Sequence, residues 1–268
     1  MSRPEALIVK IGGGAAINLA GIAADLARIP GPIVVVHGAN AARDDLARRL
    51  GHATRILTSV SGYQSVYSDE AAIDVLLMAY AGLANKRIVE LFQRNGLNAI
   101  GLTGLDGRLV VANRNAGIRV RENGRTMLVR DRSGKPASAN EPLLQYLLDH
   151  GYLPVITVPL VDQEGFAVNA ENDDVVAVLQ RMLGARRVIQ LIEAAGLLED
   201  PADPTRVRSR VSAAEMAALE GGATGRFKRK LRALRTMLEA GSVVVTLADG
   251  RVATPIADAL AGRGTTIG

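Results

Sequence analysis

Short apolar runs, each leading into an amphipathic helical stretch, recur from one end of the chain to the other, and this alternation most constrains its fold. A strand buried on both faces reads as continuous Val, Ile and Leu. A helix between two such strands carries the chain back to begin the next strand in parallel. The run 6–11 precedes a helical stretch with Leu19, Ile22, Leu26 and Ile29 on one side, stopped at Pro30. Ile33-Val34-Val35-Val36 opens at His37-Gly38-Ala39-Asn40 into a helix carrying Leu46 and Leu50 and closed by Gly51. The pattern then predicts a long helix over 68–95, a strand over 98–102, a helix over 141–150, a strand over 154–158, a helix over 172–183 and a strand over 188–192. Ser212 and Glu215 have capping-box spacing, and a last helix over 224–240 precedes a core strand over 243–247. The expected fold class is α/β, a three-layer αβα sandwich with a mainly parallel central sheet.

One stretch departs from this rhythm. Between 109 and 132, three runs alternate with period two around Glu122-Asn123-Gly124, which predicts a hairpin. Arg108, Arg114, Arg119, Arg121, Arg125, Arg130 and Arg132 make it the densest basic stretch of the sequence. It reads either as a solvated strand face or as a docking surface for an acidic macromolecule. The net charge of +5 favours acidic partners, but aromatics are only 3% of the chain and are not interleaved with Lys or Arg, which argues against nucleic acid. The absence of cysteine removes disulfides, thiolate zinc sites and cysteine nucleophiles, and makes a reducing, cytoplasmic setting the expectation. The first apolar run is too short for a membrane span, so no membrane is expected.

Four segments carry candidate chemistry: Lys10 before Gly12-Gly13-Gly14, His37-Gly38-Ala39, Asn169-Ala170-Glu171-Asn172-Asp173-Asp174, and Arg226-Phe227-Lys228-Arg229-Lys230. A lysine at the end of a buried strand is placed for chemistry, and the glycines let a polyanion approach backbone N–H groups. Gly38 and Ala39 open a helix whose N-terminus attracts anions. Asn169 and Asp173 bracket another helix start, where simple capping is the plainer reading. Phosphoryl transfer needs charge stabilisation more than covalent help, and Lys10 and Lys230 could flank a migrating group while Asp173 orients both. A carboxylate acceptor is already ionised at neutral pH and needs no general base. The sequence has no P-loop, and 101–107 has the wrong glycine spacing for a dinucleotide fingerprint.

On Val9-Lys10-Ile11-Gly12-Gly13, His37-Gly38, Ala84-Asn85-Lys86, the segment 101–107, Gly151-Tyr152-Leu153-Pro154-Val155, Asn169 with Asp173, and the Lys230 helix, the chain resembles the amino acid kinase family over nearly its whole length. Within that family it is similar to acetylglutamate kinases and more so to the [LysW]-aminoadipate kinases, through Ser59-Val60-Ser61-Gly62-Tyr63, Gly104-Leu105-Asp106-Gly107-Arg108, Glu122-Asn123-Gly124, Arg226-Phe227-Lys228-Arg229-Lys230 and Ala248-Asp249-Gly250-Arg251-Val252. The resemblance implies the carbamate kinase-like fold, with an acyl-substrate lobe over 1–185 and a nucleotide lobe over 186–268. It implies ATP and Mg2+ without a protein-built metal site. Lys10 and Lys230 would stabilise the transition state and Asp173 would orient them; Gly38, Ala39 and Asn169 would hold the acyl group; Gly12, Gly13, Glu193 and Gly196 would face the nucleotide. It further implies a homodimer through the helix near 69–95, and an acidic LysW-like amino-group carrier protein docked on Arg119, Arg121 and Arg130. Because the chain starts almost at its first strand, arginine feedback is not expected.

Three positions depart from the family pattern. Val66 stands where the family places an arginine that clamps the substrate's α-carboxylate, with Arg43 or Arg87 as possible substitutes. Ala39 replaces a glycine, and Leu191-Ile192-Glu193-Ala194-Ala195-Gly196 differs from the usual nucleotide-side segment. The expected activity is phosphorylation of the side-chain carboxylate of an amino-blocked acidic amino acid, 2-aminoadipate or glutamate on the carrier. Two alternatives stand beside it: an N-acetylglutamate kinase of arginine synthesis, and a catalytically weak paralogue that binds carrier or nucleotide as a regulator.

Overall fold

The apolar runs expected as strands of the main sheet become inner strands, except Ala99–Thr103, which lies at its edge. The computed structural model of the protein describes residues 5–122, 125–200, 203 and 206–268. Its central sheet has eight strands in the order Arg210–Val211, Thr265–Ile267, Val244–Asp249, Arg187–Ile192, Leu7–Ile11, Ile33–His37, Leu153–Thr157, Ala99–Thr103. Neighbours are parallel except Val244–Asp249 with Thr265–Ile267, which are antiparallel. The sheet is continuous through the point where the two expected lobes meet, because Leu7–Ile11 pairs directly with Arg187–Ile192.

Alternation along each strand divides the core into two layers. Ile8, Val34, Val36, Ile156, Val188, Val245 and Leu247 pack beneath the helices Asn40–Arg49, Asn172–Leu183 and Gly225–Ala240. Val9, Ile11, Val35, Val155, Ile189 and Leu191 pack on the other face against Leu19–Leu26, Asn85–Arg94 and Pro255–Leu260. The expected αβα sandwich is therefore the observed one. Lys10 and Gln190 lie side by side in register on adjacent strands and share the face of Ile8 and Val188. That parity aims the lysine at the layer containing the Asn172–Leu183 and Gly225–Ala240 helices.

The helix expected over 68–95 is one rod with a change of winding: α-helix Glu70–Leu76, π-helix Leu77–Ala84, α-helix Asn85–Arg94. Five residues on an α-helix are about 140° apart, which would point Tyr80 and Asn85 in different directions. The wider π turn brings both toward the end of strand Ile33–His37. There the Tyr80 hydroxyl donates to Asn40 Oδ1 at 2.5 Å, and Asn85 Nδ2 lies 3.1 Å from His37 Nε2.

The basic region also differs from a simple three-run hairpin. Ile118–Glu122 and Arg125–Val129 form an antiparallel ribbon, while Asn123 and Gly124 of its expected turn lie outside the described residues. Val110–Arg114 belongs instead to a separate four-stranded sheet, beside Gly134–Ala139 and Leu160–Val161. Gly134–Ala139 has no apolar alternation, so its pairing is set by the neighbouring strand rather than by its own pattern. A second ribbon, Ile56–Thr58 with Gln64–Val66, completes the rim above the site.

The two ends of the chain are tied by a buried carboxylate. Asp25, 4% exposed on the first helix, accepts from the backbone N–H groups of Ile256 and Ala257 at 2.9 and 3.0 Å, satisfying the start of helix Pro255–Leu260. Asp25→Ala should destabilise the protein by about 1–3 kcal/mol, since it orphans two donors, one of them buried. Urea unfolding of the two proteins measures it, and an unchanged midpoint would show that this anchor contributes nothing.

Candidate active site

Lys10, Asp173 and Lys230 come from three distant points in the chain and meet at the carboxyl ends of the central strands. Lys10 ends the first strand, Asp173 lies in the first turn of Asn172–Leu183, and Lys230 projects from Gly225–Ala240. Asp173 Oδ1 is 3.3 Å from Lys10 Nζ, and Lys230 Nζ donates to Oδ2 at 3.0 Å and Oδ1 at 3.2 Å. The capping role open to Asp173 from sequence is not the one it takes: the N-cap is Glu171 and no side chain caps that helix. Lys230 also donates to Gln190 Oε1 at 3.2 Å, and the Gln190 Nε2 group is buried with no partner among the described residues.

The electrostatics follow from crowding two cations on one anion in a nearly dry place. Burial opposes ionisation of Asp173, but Lys10 and then Lys230 outweigh it and hold the carboxyl well below the usual range. Burial pulls Lys230 down to about 8; Asp173 opposes that fall and Lys10 adds to it. The trio carries one positive charge in excess when both lysines are protonated, and this charge points to where the first strand ends.

Around it two glycine turns touch back to back. A Cβ on Gly13 would lie 2.6 Å from the backbone nitrogens of both Ala39 and Asn40, so only glycine permits this approach. Gly38 N–H donates to Ile11 O and Ala41 N–H to Gly13 O, which locks the two strand ends together. Ala39 is accommodated and buried, 4% exposed. His37, fully buried, is lowered to about 4, by burial first and Lys86 next, against a hydrogen bond with Gly38 O. Asn85 Nδ2 donates to Nε2, so Nδ1 carries the proton and donates to Gly38 O at 3.1 Å. The imidazole is a neutral brace for the turn.

On the opposite side of Lys10, Gly12 N–H donates to Leu191 O, and Gly250 N–H to Ile192 O. Glu193 lies beside Gly14 and accepts from Ala16 N–H at 2.7 Å. The turn after the glycines therefore gives one N–H, that of Ala16, to an acidic group, as an anion cradle does. A phosphate would compete with the exposed, displaceable Glu193 side chain. Gly196 is buried against Thr265 and Val207, where a Cβ would meet either at 2.7 Å. Its role in the structure is close packing. Among the described residues no group of three or more His, Asp or Glu could hold a metal ion.

A cleft of about 510 Å³ opens beside the trio, lined by Asn169, Val66, Glu171, Asp174, Arg119 and Arg229 among others. Asn169 Nδ2 donates to Ser68 Oγ at 2.9 Å; Ser68 N–H and Ser133 in turn bond to the buried Asp131 carboxylate. Arg229 pairs with Glu171 at 3.1 Å, and Asp174 is raised to about 6 by burial, then by Glu171. Arg119 lines the cleft; Arg121 and Arg130 are exposed beyond it. Arg87, a possible clamp from sequence, is exposed and pairs with Glu90, outside the cleft lining. Sequence reading missed Gln190 and the Asp131 network. The signal for Gln190 was available, since a polar residue inside Val188-Ile189-Gln190-Leu191 needs a partner.

The sequence pattern of the amino acid kinase family matches residues 5–249. The chain belongs to the amino acid kinase family. It is 38% identical to the [LysW]-aminoadipate kinase of Thermus thermophilus, over 97% of this chain and 99% of that one. It is 30% identical to the acetylglutamate kinase of Methanopyrus kandleri over 97% and 99% of the two chains. The N-acetylglutamate synthase of Neisseria gonorrhoeae superposes with a TM-score of 0.79 at 20% identity, covering 99% of this chain but 59% of that one, and so shares the fold. This amino acid kinase is thus an enzyme of the class that phosphorylates carboxyl groups.

Lys10→Ala and Lys230→Ala should each lower kcat by at least about 100-fold, as loss of a preorganised charge does, with little change in the melting temperature. Because Lys230 must be protonated to stabilise negative charge, turnover should fall as pH rises through about 8. Gln190→Leu removes an acceptor that favours the ammonium, so this limb should move to lower pH. A pH–rate profile flat to pH 10 would contradict the role of Lys230.

Proposed function

We propose that the protein transfers the γ-phosphoryl group of ATP to the side-chain carboxylate of an amino-blocked acidic amino acid, 2-aminoadipate or glutamate, carried on a small acidic protein. The observation that supports it most directly is the Lys10–Asp173–Lys230 trio set beside a basic cleft. The substrate carboxylate oxygen attacks phosphorus and the bond to the leaving ADP oxygen breaks, giving an acyl phosphate. No proton moves, so no general base is needed. Lys10 and Lys230 face the charge spread over the migrating group, and Asp173 keeps them apart and oriented. Gly38 and Ala39 supply the backbone of the acyl-side turn with Asn169 behind it, while Gly12, Gly13, Glu193 and Gly196 mark the nucleotide side. Residues 1–185 form the acyl lobe in this reading and 186–268 the nucleotide lobe. Magnesium supplies charge neutralisation when bound with the nucleotide.

The carrier reading rests on charge and position. Arg108, Arg114 and Arg132 are engaged with Asp162 O, Asp131 O and Glu70, whereas Arg119, Arg121 and Arg130 are exposed and have no protein partner among the described residues. Arg119 belongs to both the ribbon and the cleft wall, so a protein docked on the ribbon could pass a tethered acyl group into the cleft. We further propose a homodimer through the 70–94 rod, where Met78 and Leu83 are 45% and 51% exposed, and a cytoplasmic setting.

Likeness to the acetylglutamate kinase supports a second reading, free N-acetylglutamate as substrate. Val66, Ala39 and Glu193 support a third, a weak regulatory paralogue. An ATP-dependent hydroxamate assay separates them: turnover only on a loaded carrier is expected, turnover on free N-acetylglutamate would favour the second, and none on any substrate the third. Reversing charge at Arg119, Arg121 and Arg130 should weaken carrier binding about 10-fold or more and flatten its salt dependence. Affinity unchanged across a salt series would refute docking at the ribbon.

A further inference from the structure

The reaction uses one carboxylate of an acidic amino acid and leaves a second, the α-carboxylate, to be recognised. Behind Val66 lies a second cavity of about 250 Å³. Val66 lines both this cavity and the main cleft, so its short side chain is the partition between them. The side cavity has aliphatic walls from Ala47, Val75 and Leu76 and polar ones from His52, Arg55 and Asp69; Arg43 is its buried cation, whereas Arg55 is exposed. The Arg43 side chain is only 7% exposed. Its Nε and Nη2 donate to Asp44 Oδ1 at 2.9 and 2.8 Å, and Nη1 donates to Asn40 Oδ1 at 3.4 Å. One N–H on each terminal nitrogen is left without a partner among the described residues, enough for the two oxygens of a carboxylate. Asn40 in turn follows Ala39 of the acyl-side turn and is held by the Tyr80 hydroxyl, so the guanidinium is fixed relative to that turn.

The other cations of the cleft are less suited to selection. The Arg229 side chain is 28% exposed, Arg232 lies over the Tyr63 ring at 5.5 Å, and Arg119, Lys135 and Arg181 are exposed. A buried guanidinium discriminates more, because its field is less screened and a neutral ligand would leave its donors unmade. We propose that Arg43 is the specificity-determining residue of this enzyme: it takes the α-carboxylate of the acyl substrate through the side pocket that Val66 leaves open. This rests on the carboxylate-kinase reading above. The aliphatic walls receive the adjoining methylene carbons, and the pocket excludes an amide or ester at the α position.

The test is calorimetric titration of the full chain with N-acetyl-2-aminoadipate and with its α-carboxamide, alongside steady-state kinetics on the loaded carrier. The wild type should bind the acid at least about 10-fold tighter than the amide, the range of a charge-assisted bond. Arg43→Gln should erase that preference and raise KM for the acyl substrate about 10- to 100-fold, with KM for ATP unchanged; Arg43→Lys should recover part of the loss. Val66→Phe, which fills the passage and leaves Arg43 in place, should produce the same loss and serves if Arg43→Gln does not fold. Acid and amide bound alike by the wild type, or acid affinity within twofold of wild type in Arg43→Gln or Val66→Phe, overturns the proposal. Absence of turnover on every substrate with an Arg43-dependent preference intact would instead remove the kinase reading and leave the pocket standing.

Discussion

The sharing of one carboxylate by two ammonium groups is the constraint to which the rest of the architecture answers. Lys10, Asp173 and Lys230 could not be brought together cheaply in water, where each is well solvated, and they are held here by elements that are themselves buried on apolar faces. The first strand must be central so that both neighbouring strands fix its end. The Asn172–Leu183 helix must begin where that strand stops, and the Gly225–Ala240 helix must lie across it. Asp173 removes enough of the mutual repulsion for both lysines to coexist, yet leaves one positive charge uncompensated. That residual charge is the chemical resource of the site.

A second requirement is close backbone approach. The Gly13 and Gly38 turns pack against each other with no room for a side chain, and neutral His37 and Asn85 fill the space beneath them with satisfied hydrogen bonds. The π-helical stretch belongs to the same device, because only its wider winding sends Tyr80 and Asn85 to the same strand end. On the far side Glu193 lies against the glycine loop and accepts the Ala16 N–H of the turn after it. A polyanion entering there would meet backbone donors and a displaceable negative charge.

Much of the fold was legible because burial on two faces leaves a plain signature. The runs around Val9, Val35, Val155 and Ile189 read as inner strands and are inner strands, and the Ser212–Glu215 capping box opens its helix as its spacing predicts. Gly134–Ala139 was not legible, since a strand at the side of a small sheet draws its conformation from a partner rather than from its own alternation. Lys10, Asp173 and Lys230 could be nominated from sequence, whereas Gln190 looked like part of an apolar strand, Ser68 like the start of a helix and Asp131 like the end of the basic stretch. Their roles exist only as hydrogen bonds between segments far apart in the chain.

Sequence by itself determined the layered α/β architecture, the family, and the residue types able to stabilise a migrating phosphoryl group, because these depend on local periodicity and on short motifs. It could not choose between Arg43 and Arg87, two arginines on amphipathic helices with nothing local to distinguish them. Tertiary packing sets them apart: Arg87 faces solvent and Glu90, while Arg43 is enclosed between its helix and the 70–94 rod, beside Val66. The same packing decided that His37 is neutral and that Lys230 titrates near 8, since desolvation and the company of other charges arise only when distant segments close around a group.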